Sequence, residues 1–264
     1  MDPEFPISSY VGSPEWPLIK GGKWRKIQLP IRYGFFRHPR SGPVLIDTGY
    51  TDRVTSGTRS LDLRLYSSGL SPRLDDEGQL EPFLGGRGLT CEDIRAVIIT
   101  HFHADHISAC RDLPNARFYA SGAAYEQLRG SSHLKRILHG VFLDLLPPDF
   151  QERLTPFETL PATEGPLGLG ACRDLFGDGT VLIVPLPGHA IGHVGVAFPR
   201  IEPPLLYAAD AEWLREALDT ARTGIAARLV ADDRDASERS SALARAFAEA
   251  GGRLVLCHDP EPLP

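Results

Sequence analysis

The chain of 264 residues has only four cysteines, and no two of them form a CxxC pair. Cys91, Cys110, Cys172 and Cys257 are too widely spaced for a disulfide framework, so each reads as a buried free thiol. No apolar run approaches the roughly 18–20 residues needed to span a bilayer, which excludes a membrane helix. Lysine and arginine are scattered and the net charge is −6, which argues against a nucleic-acid surface. No short-period repeat is present. Met1-Asp2-Pro3-Glu4-Phe5 reads as an expression-vector scar and is set aside. No basic segment leading into an apolar one follows it, so a cytoplasmic location is expected. What the chain does have is 42% hydrophobic residues, enough for a sizeable core in one large α/β domain or two small ones.

The most informative stretch is His101-Phe102-His103-Ala104-Asp105-His106. Three imidazoles and a carboxylate follow the apolar run Ala96-Val97-Ile98-Ile99-Thr100, which reads as a short buried strand. Composition alone would produce this pattern in on the order of one such chain in a thousand. A loop leaving a strand end can aim short side chains at one point, and imidazole with carboxylate suits zinc and its first-row neighbours. A set of solvated loop histidines is the bland alternative, and the rest of the chain argues against it.

The same event recurs. Val44-Leu45-Ile46 reads as a strand that runs into Asp47, Val181–Leu186 leads to the turn Pro187-Gly188-His189, Leu205–Ala209 runs into Asp210, and Arg253–Cys257 ends at His258. Val194–Phe198 and Arg117–Ala120 are further strands, and one or two more fall within residues 16–33. A helix start is expected at Thr90, with an acid three residues on. Residues 51–88 hold a short helix near Leu61–Tyr66 and otherwise read as a long functional loop. Residues 122–146 place Leu134, Ile137, Leu138, Val141, Phe142 and Leu145 at helical spacing, either as a core-facing helix pair or as an apolar cover over a substrate. Pro147–Gly170 is loop-like. Asp235–Ala250 is an amphipathic helix with apolar Leu243, Ala246 and Phe247, stopped by Gly251-Gly252. Strand alternation turns the Cys257 side chain away from the one at His258.

Seven residues are metal-capable: His101, His103, Asp105, His106, His189, Asp210 and His258. Seven exceed what one tetrahedral ion uses, and they suit two ions sharing a carboxylate. With the HxHxDH motif, the Pro-Gly-His about eighty residues on, the strand-terminal Asp and the final His, the chain resembles the metallo-β-lactamase fold superfamily. The resemblance runs from Leu45-Ile46-Asp47-Thr48-Gly49 to His258. It implies a four-layer αββα sandwich, two mixed sheets flanked by helices, as one catalytic domain over residues 6–264. By that resemblance His101, His103 and His189 bind one ion, Asp105, His106 and His258 the other, and Asp210 bridges them. The cofactors implied are two divalent ions, zinc first, with manganese, iron or cobalt also accepted. Asp47 and His193 would stand behind the ligands as hydrogen-bonding supports. His38, His133 and His139 match no motif position, and Asp259 reads as a turn or ion-pair residue.

Two cations lower the pKa of a shared water, so hydroxide can attack an ester-like carbonyl, with Asp105 and Asp210 as the catalytic carboxylates. Phe35–Gly49 is similar to the N-terminal pattern of acyl-homoserine lactone lactonases, where a prolyl hairpin precedes the Asp. Those enzymes carry a Tyr three residues after the bridging Asp, whereas this chain has Trp213; Trp213 and Phe142 are the expected substrate contacts. The expected partner is a small-molecule ester or lactone, with no nucleic acid and no membrane, and a homodimer is compatible with the sequence. A thioester hydrolase of the hydroxyacylglutathione type and a metal-binding sensor of the same fold are the alternatives.

Overall fold

The computed structural model describes residues 2–57 and 59–264, which divide into two compact units. One unit comprises residues 1–12 and 30–155, the other residues 13–29 and 156–264. The strands in chain order are β1 (Ile7–Pro14), β2 (Lys26–Arg32), β3 (Gly34–His38), β4 (Gly42–Ile46), β5 (Arg73–Leu74), β6 (Ala96–Ile98) and β7 (Arg117–Ala120). They continue as β8 (Leu154–Pro156), β9 (Ala162–Gly165), β10 (Gly170–Asp174), β11 (Leu182–Pro185), β12 (Val194–Phe198), β13 (Leu205–Tyr207) and β14 (Arg253–Val255). They form a five-stranded sheet ordered β3-β4-β6-β7-β8, a six-stranded sheet ordered β14-β13-β12-β11-β10-β9, and a three-stranded sheet β2-β1-β5. The protein is mixed α/β.

In the first unit, β3 and β4 make an antiparallel hairpin, Gly34 opposite Ile46 and His38 opposite Gly42. The His38 ring closes its turn, Nδ1 accepting the Arg40 and Ser41 amides at 3.3 and 3.0 Å. β4, β6 and β7 then run parallel, Ile46 beside Ile98 and Ile98 beside Tyr119. All three residues of β6 are buried, which is why this strand reads as an unbroken apolar run rather than an alternation.

In the second unit the strands from β9 to β13 pair antiparallel, and β13 pairs parallel with β14. A parallel pair needs a crossover, and the helix Arg234–Glu249 supplies it. Asp233 caps its N-terminus by accepting the Ala236 amide at 3.0 Å, and Gly251 with φ +94° ends it in the left-handed region. Ala244 and Phe247 of this helix pack on Leu182, Val184, Leu206 and Leu254 of the sheet.

Several expectations are corrected. Residues 51–88 are not one long loop: they hold helices Asp52–Thr55, Leu61–Leu70 and Leu80–Gly85 as well as β5, because buried Val54, Leu63, Phe83 and Leu84 anchor turns that show no long periodicity. The helix expected at Thr90 is a single 3-10 turn, Cys91–Asp93, with the Thr90–Asp93 capping box in place. Residues 122–146 do form a helix pair, Gly122–Gly130 and His133–Leu138, but Leu134 and Leu138 are 66% and 75% exposed and face no core. The long helix turns Leu243 and Phe247 to the core as expected, but it buries Ala244 and exposes Ala246. Within the segment set aside as vector-derived, Glu4 exchanges two backbone hydrogen bonds of 2.8 Å with Phe35, its carboxylate pairs with Arg87, and Phe5 is buried, contacts that do not bear on the segment's origin. Met1 lies outside the described residues.

Phe247 has no exposed surface and stands against Gly252, where an added Cβ would strike its ring. Phe247→Ala is expected to destabilise the protein by about 3–5 kcal/mol, read as a lower urea midpoint. A loss below roughly 1 kcal/mol would contradict the packing described.

Candidate metal centre

The chain delivers its metal-type residues where strands stop. Asp47 follows β4 directly and adopts φ +59°, a left-handed conformation that Asp tolerates better than most residues. Its carboxylate is wholly buried and accepts three hydrogen bonds. Oδ1 accepts the Thr100 amide at 2.8 Å, and Oδ2 accepts the Thr100 hydroxyl and His106 Nδ1–H, each at 2.8 Å. These bonds decide two tautomers. His106 spends its Nδ1 proton on Asp47, so Nε2 carries the lone pair. The Thr100 hydroxyl has given its only proton to Asp47, so it accepts from His101 Nδ1–H at 3.1 Å and leaves Nε2 of His101 as a lone-pair donor. Thr48 holds the other side of the loop, its amide and hydroxyl donating to the His106 carbonyl at 3.0 and 3.1 Å.

His103, Asp105 and His106 start a one-turn helix, Ala104–Ile107, with His103 as its N-terminal flank. His101 Nε2 lies 2.9 Å from His103 Nδ1, and His106 Nε2 lies 3.5 Å from Asp105 Oδ2. The Ala104 amide donates to the Gly140 carbonyl at 3.0 Å, which fastens the segment bearing Phe142 to the hexapeptide. Phe142 is buried, its ring 5.0 Å from that of Tyr66.

In the second unit, the turn before His189 depends on Gly188. Its φ is +124°, and a Cβ there would collide with the backbone of Ala236 and Ser237. Asp210 follows Ala209, itself left-handed at φ +46°. His189 Nε2 and His258 Nε2 stand 3.4 and 3.0 Å from Asp210 Oδ2, and all three side chains are buried. His193 is committed at both nitrogens: Nδ1–H donates to the Leu186 carbonyl at 2.7 Å, and Nε2 accepts the Asp210 amide at 3.2 Å. It fixes the backbone of Asp210 rather than offering a lone pair. Burial works against charge on His258, but the Asp210 carboxylate and Cys257 outweigh it and raise its pKa well above the usual histidine value. A cation would therefore compete with a proton there.

The Trp213 indole lies near both imidazoles, its ring 6.3 Å from His189 and 6.1 Å from His258. Its Nε1–H is buried with no hydrogen-bond partner among the described residues. Neighbouring Glu212 is buried, and burial raises its pKa, partly offset by hydrogen bonds from the Thr223 hydroxyl and the Trp213 amide. Asp259 accepts the Arg215 amide at 3.1 Å and so steadies the start of helix Arg215–Thr220.

These residues fit divalent cations. Donor atoms at the corners of a zinc tetrahedron with bonds of 2.0–2.1 Å lie roughly 3.3 Å apart. The spacings within each unit, 2.9 and 3.5 Å in one and 3.0 and 3.4 Å in the other, bracket that edge. Sequence reasoning missed three contributors. Thr100, whose position just before His101 was the available signal, turns out to be the relay between Asp47 and His101. Glu212 gave no signal. Cys257 does not turn away: its Sγ comes within 4.8 Å of a donor atom on Asp210 and on His258. β14 ends at Val255, two residues earlier, so strand alternation no longer governs it.

Asp47→Asn keeps a residue that tolerates positive φ while removing the carboxylate that orients His106 and, through Thr100, His101. Zinc affinity, measured by competition with a chromophoric chelator, is expected to fall roughly 10–100-fold. Unchanged affinity would show that the Asp47 network does not serve the donors.

A profile of the Metallo-beta-lactamase superfamily matches residues 29–258. The chain is 27% identical over 252 residues to an N-acyl homoserine lactonase, AttM, of Rhizobium johnstonii, covering 90% of this chain and 85% of that protein. Among solved structures it resembles a variant of B. thuringiensis AiiA with N-decanoyl-L-homoserine bound at the active site. The TM-score is 0.70 at 16% identity, over 98% of this chain and 93% of that one. It also resembles AidC, a dizinc quorum-quenching lactonase in complex with a product, with a TM-score of 0.68 at 17% identity over 98% and 88% of the two chains. The profile match spans both units and every one of the seven metal-type residues, and the chain belongs to the metallo-β-lactamase superfamily.

Proposed function

We propose that the chain is a hydrolase dependent on two divalent cations, and that it opens a lactone ring. The observation that carries this reading is the pair of buried donor sets with lone pairs already aimed by Asp47, Thr100 and His193. In this reading the sets of the two units work together. His101, His103 and His189 hold one cation, Asp105, His106 and His258 hold the other, and Asp210 serves both. When bound, such a pair supplies Lewis acidity that makes hydroxide available near neutral pH and polarises a carbonyl.

The chain's own groups supply the rest. Hydrolysis forms one C–O bond to the carbonyl carbon and breaks the ring ester bond, so one proton must travel from the attacking water to the departing ring oxygen. Asp105 is the carboxylate assigned to carry it, since Asp210 has both imidazoles within 3.4 Å. The Trp213 indole N–H, buried without a partner, is assigned to donate to a substrate oxygen, and Phe142 with Tyr66 to receive the apolar part. The relatives named as N-acyl homoserine lactonases support a lactone as substrate class. Trp213 in place of their Tyr favours a lactone whose acceptor oxygen sits differently from that of an acyl-homoserine lactone.

The test is turnover of a panel of lactones, thioesters and phosphodiesters by zinc-loaded protein. Lactone opening is expected to lead the panel, and strong thioester cleavage without it would replace lactonase by thioesterase. Asp210→Ala is expected to lose activity and bound metal together; full retention of metal with no turnover in the parent protein would point to a sensor instead. Trp213→Phe keeps an aromatic ring but removes the N–H, and is expected to lower kcat/KM for the best lactone roughly tenfold to a hundredfold. An unchanged kcat/KM would remove Trp213 from substrate recognition.

A further inference from the structure

Cys257 is fully buried, and its amide donates to the Ala209 carbonyl at 3.0 Å, beside the turn that presents Asp210. A buried thiol is ordinarily a small apolar filler. This one is not placed as a filler, because its Sγ shares a space of 4.8 Å with donor atoms of the Asp210 carboxylate and the His258 imidazole. Among the described residues, Cys91, Cys110 and Cys172 belong to no such donor group. A carboxylate, an imidazole and a thiol are three different ligand chemistries at one buried point. With the thiol deprotonated, they carry two negative charges, which neutralises a dication where solvent cannot.

We propose that Cys257 Sγ is a ligand, joining Asp210 and His258 around the second cation and making that position sulfur-bearing. This deepens the dinuclear reading and rests on its assignment of Asp210 and His258 to a cation. Binding breaks the S–H bond, forms a sulfur–metal bond and releases one proton to solvent, with no change in oxidation state. The consequence is selectivity. Thiolate favours zinc, cadmium and cobalt over manganese and magnesium, so the sulfur-bearing position discriminates more strongly against hard cations than the other, whose donors are imidazole and carboxylate alone.

The experiment uses the full chain loaded with zinc or with cobalt(II). Zinc-edge X-ray absorption of the unmodified protein is expected to require a sulfur scatterer near 2.3 Å alongside the nitrogen and oxygen shell. The cobalt form is expected to show near-ultraviolet sulfur-to-cobalt charge-transfer absorption, lost in Cys257→Ser and kept in Cys110→Ser. Cys257→Ser is further expected to reduce the preference for cadmium over manganese on the order of 10–100-fold, at least the cost of losing a support to a ligand. If metal binds but no sulfur is seen in the absorption spectrum of the unmodified protein, the thiol assignment is overturned and the dinuclear reading stands. If neither metal binds, both are overturned. The X-ray measurement needs no variant, so a misfolded Cys257→Ser leaves the outcome decided.

Discussion

Two buried imidazole nitrogens, or an imidazole nitrogen and a carboxylate, within about 3 Å of each other repel unless a proton or a cation sits between them. That constraint organises this protein. In one unit His101 meets His103, and His106 meets Asp105; in the other His189 and His258 both meet Asp210. A proton satisfies a single contact and brings no further donors to it. A divalent cation relieves each of them and gains the full donor set, which is why the arrangement points to metal rather than to a buried acid–base pair.

The scaffold keeps these groups close by ending strands beside them. β4, β6, β13 and β14 are short and buried, and each is followed within three residues by Asp47, His101, Asp210 or His258. Sheets hold their ends rigidly, and short loops give the next side chain little freedom. The strain needed to turn the chain is spent at the same places. Asp47 and Ala209 take positive φ without being glycine, and Gly188 occupies a conformation and a space that no side chain could share. Behind the donors, Asp47 and Thr100 settle which nitrogen of His101 and His106 faces forward, and His193 fixes where the Asp210 backbone lies.

The motif at 101–106 and the strand-then-ligand rhythm were legible because metal binding demands particular residue types at particular spacings, and buried parallel strands demand unbroken apolar runs. The hairpin before Asp47 and the long helix near the C-terminus were legible for similar reasons, through their turn and cap residues. What escaped detection was set by contacts distant in sequence. The turns within residues 51–88 are held by isolated buried side chains with no period to detect. Leu134 and Leu138 have helical spacing but no partner surface, and spacing alone cannot tell a core face from an exposed one. Thr100 looked like the last residue of a strand, and only the placement of Asp47, more than fifty residues earlier, turns its hydroxyl into a relay. Cys257 was assigned by extending a strand two residues beyond where it stops.

The reading proposed here requires donors from both units to share the same cations. Elemental analysis of zinc-loaded, exhaustively dialysed protein tests that directly. Two ions per chain are expected in the unmodified protein, with His101→Ala and His189→Ala each removing the same single ion. One ion or none in the unmodified protein, or full occupancy in His189→Ala, would contradict it.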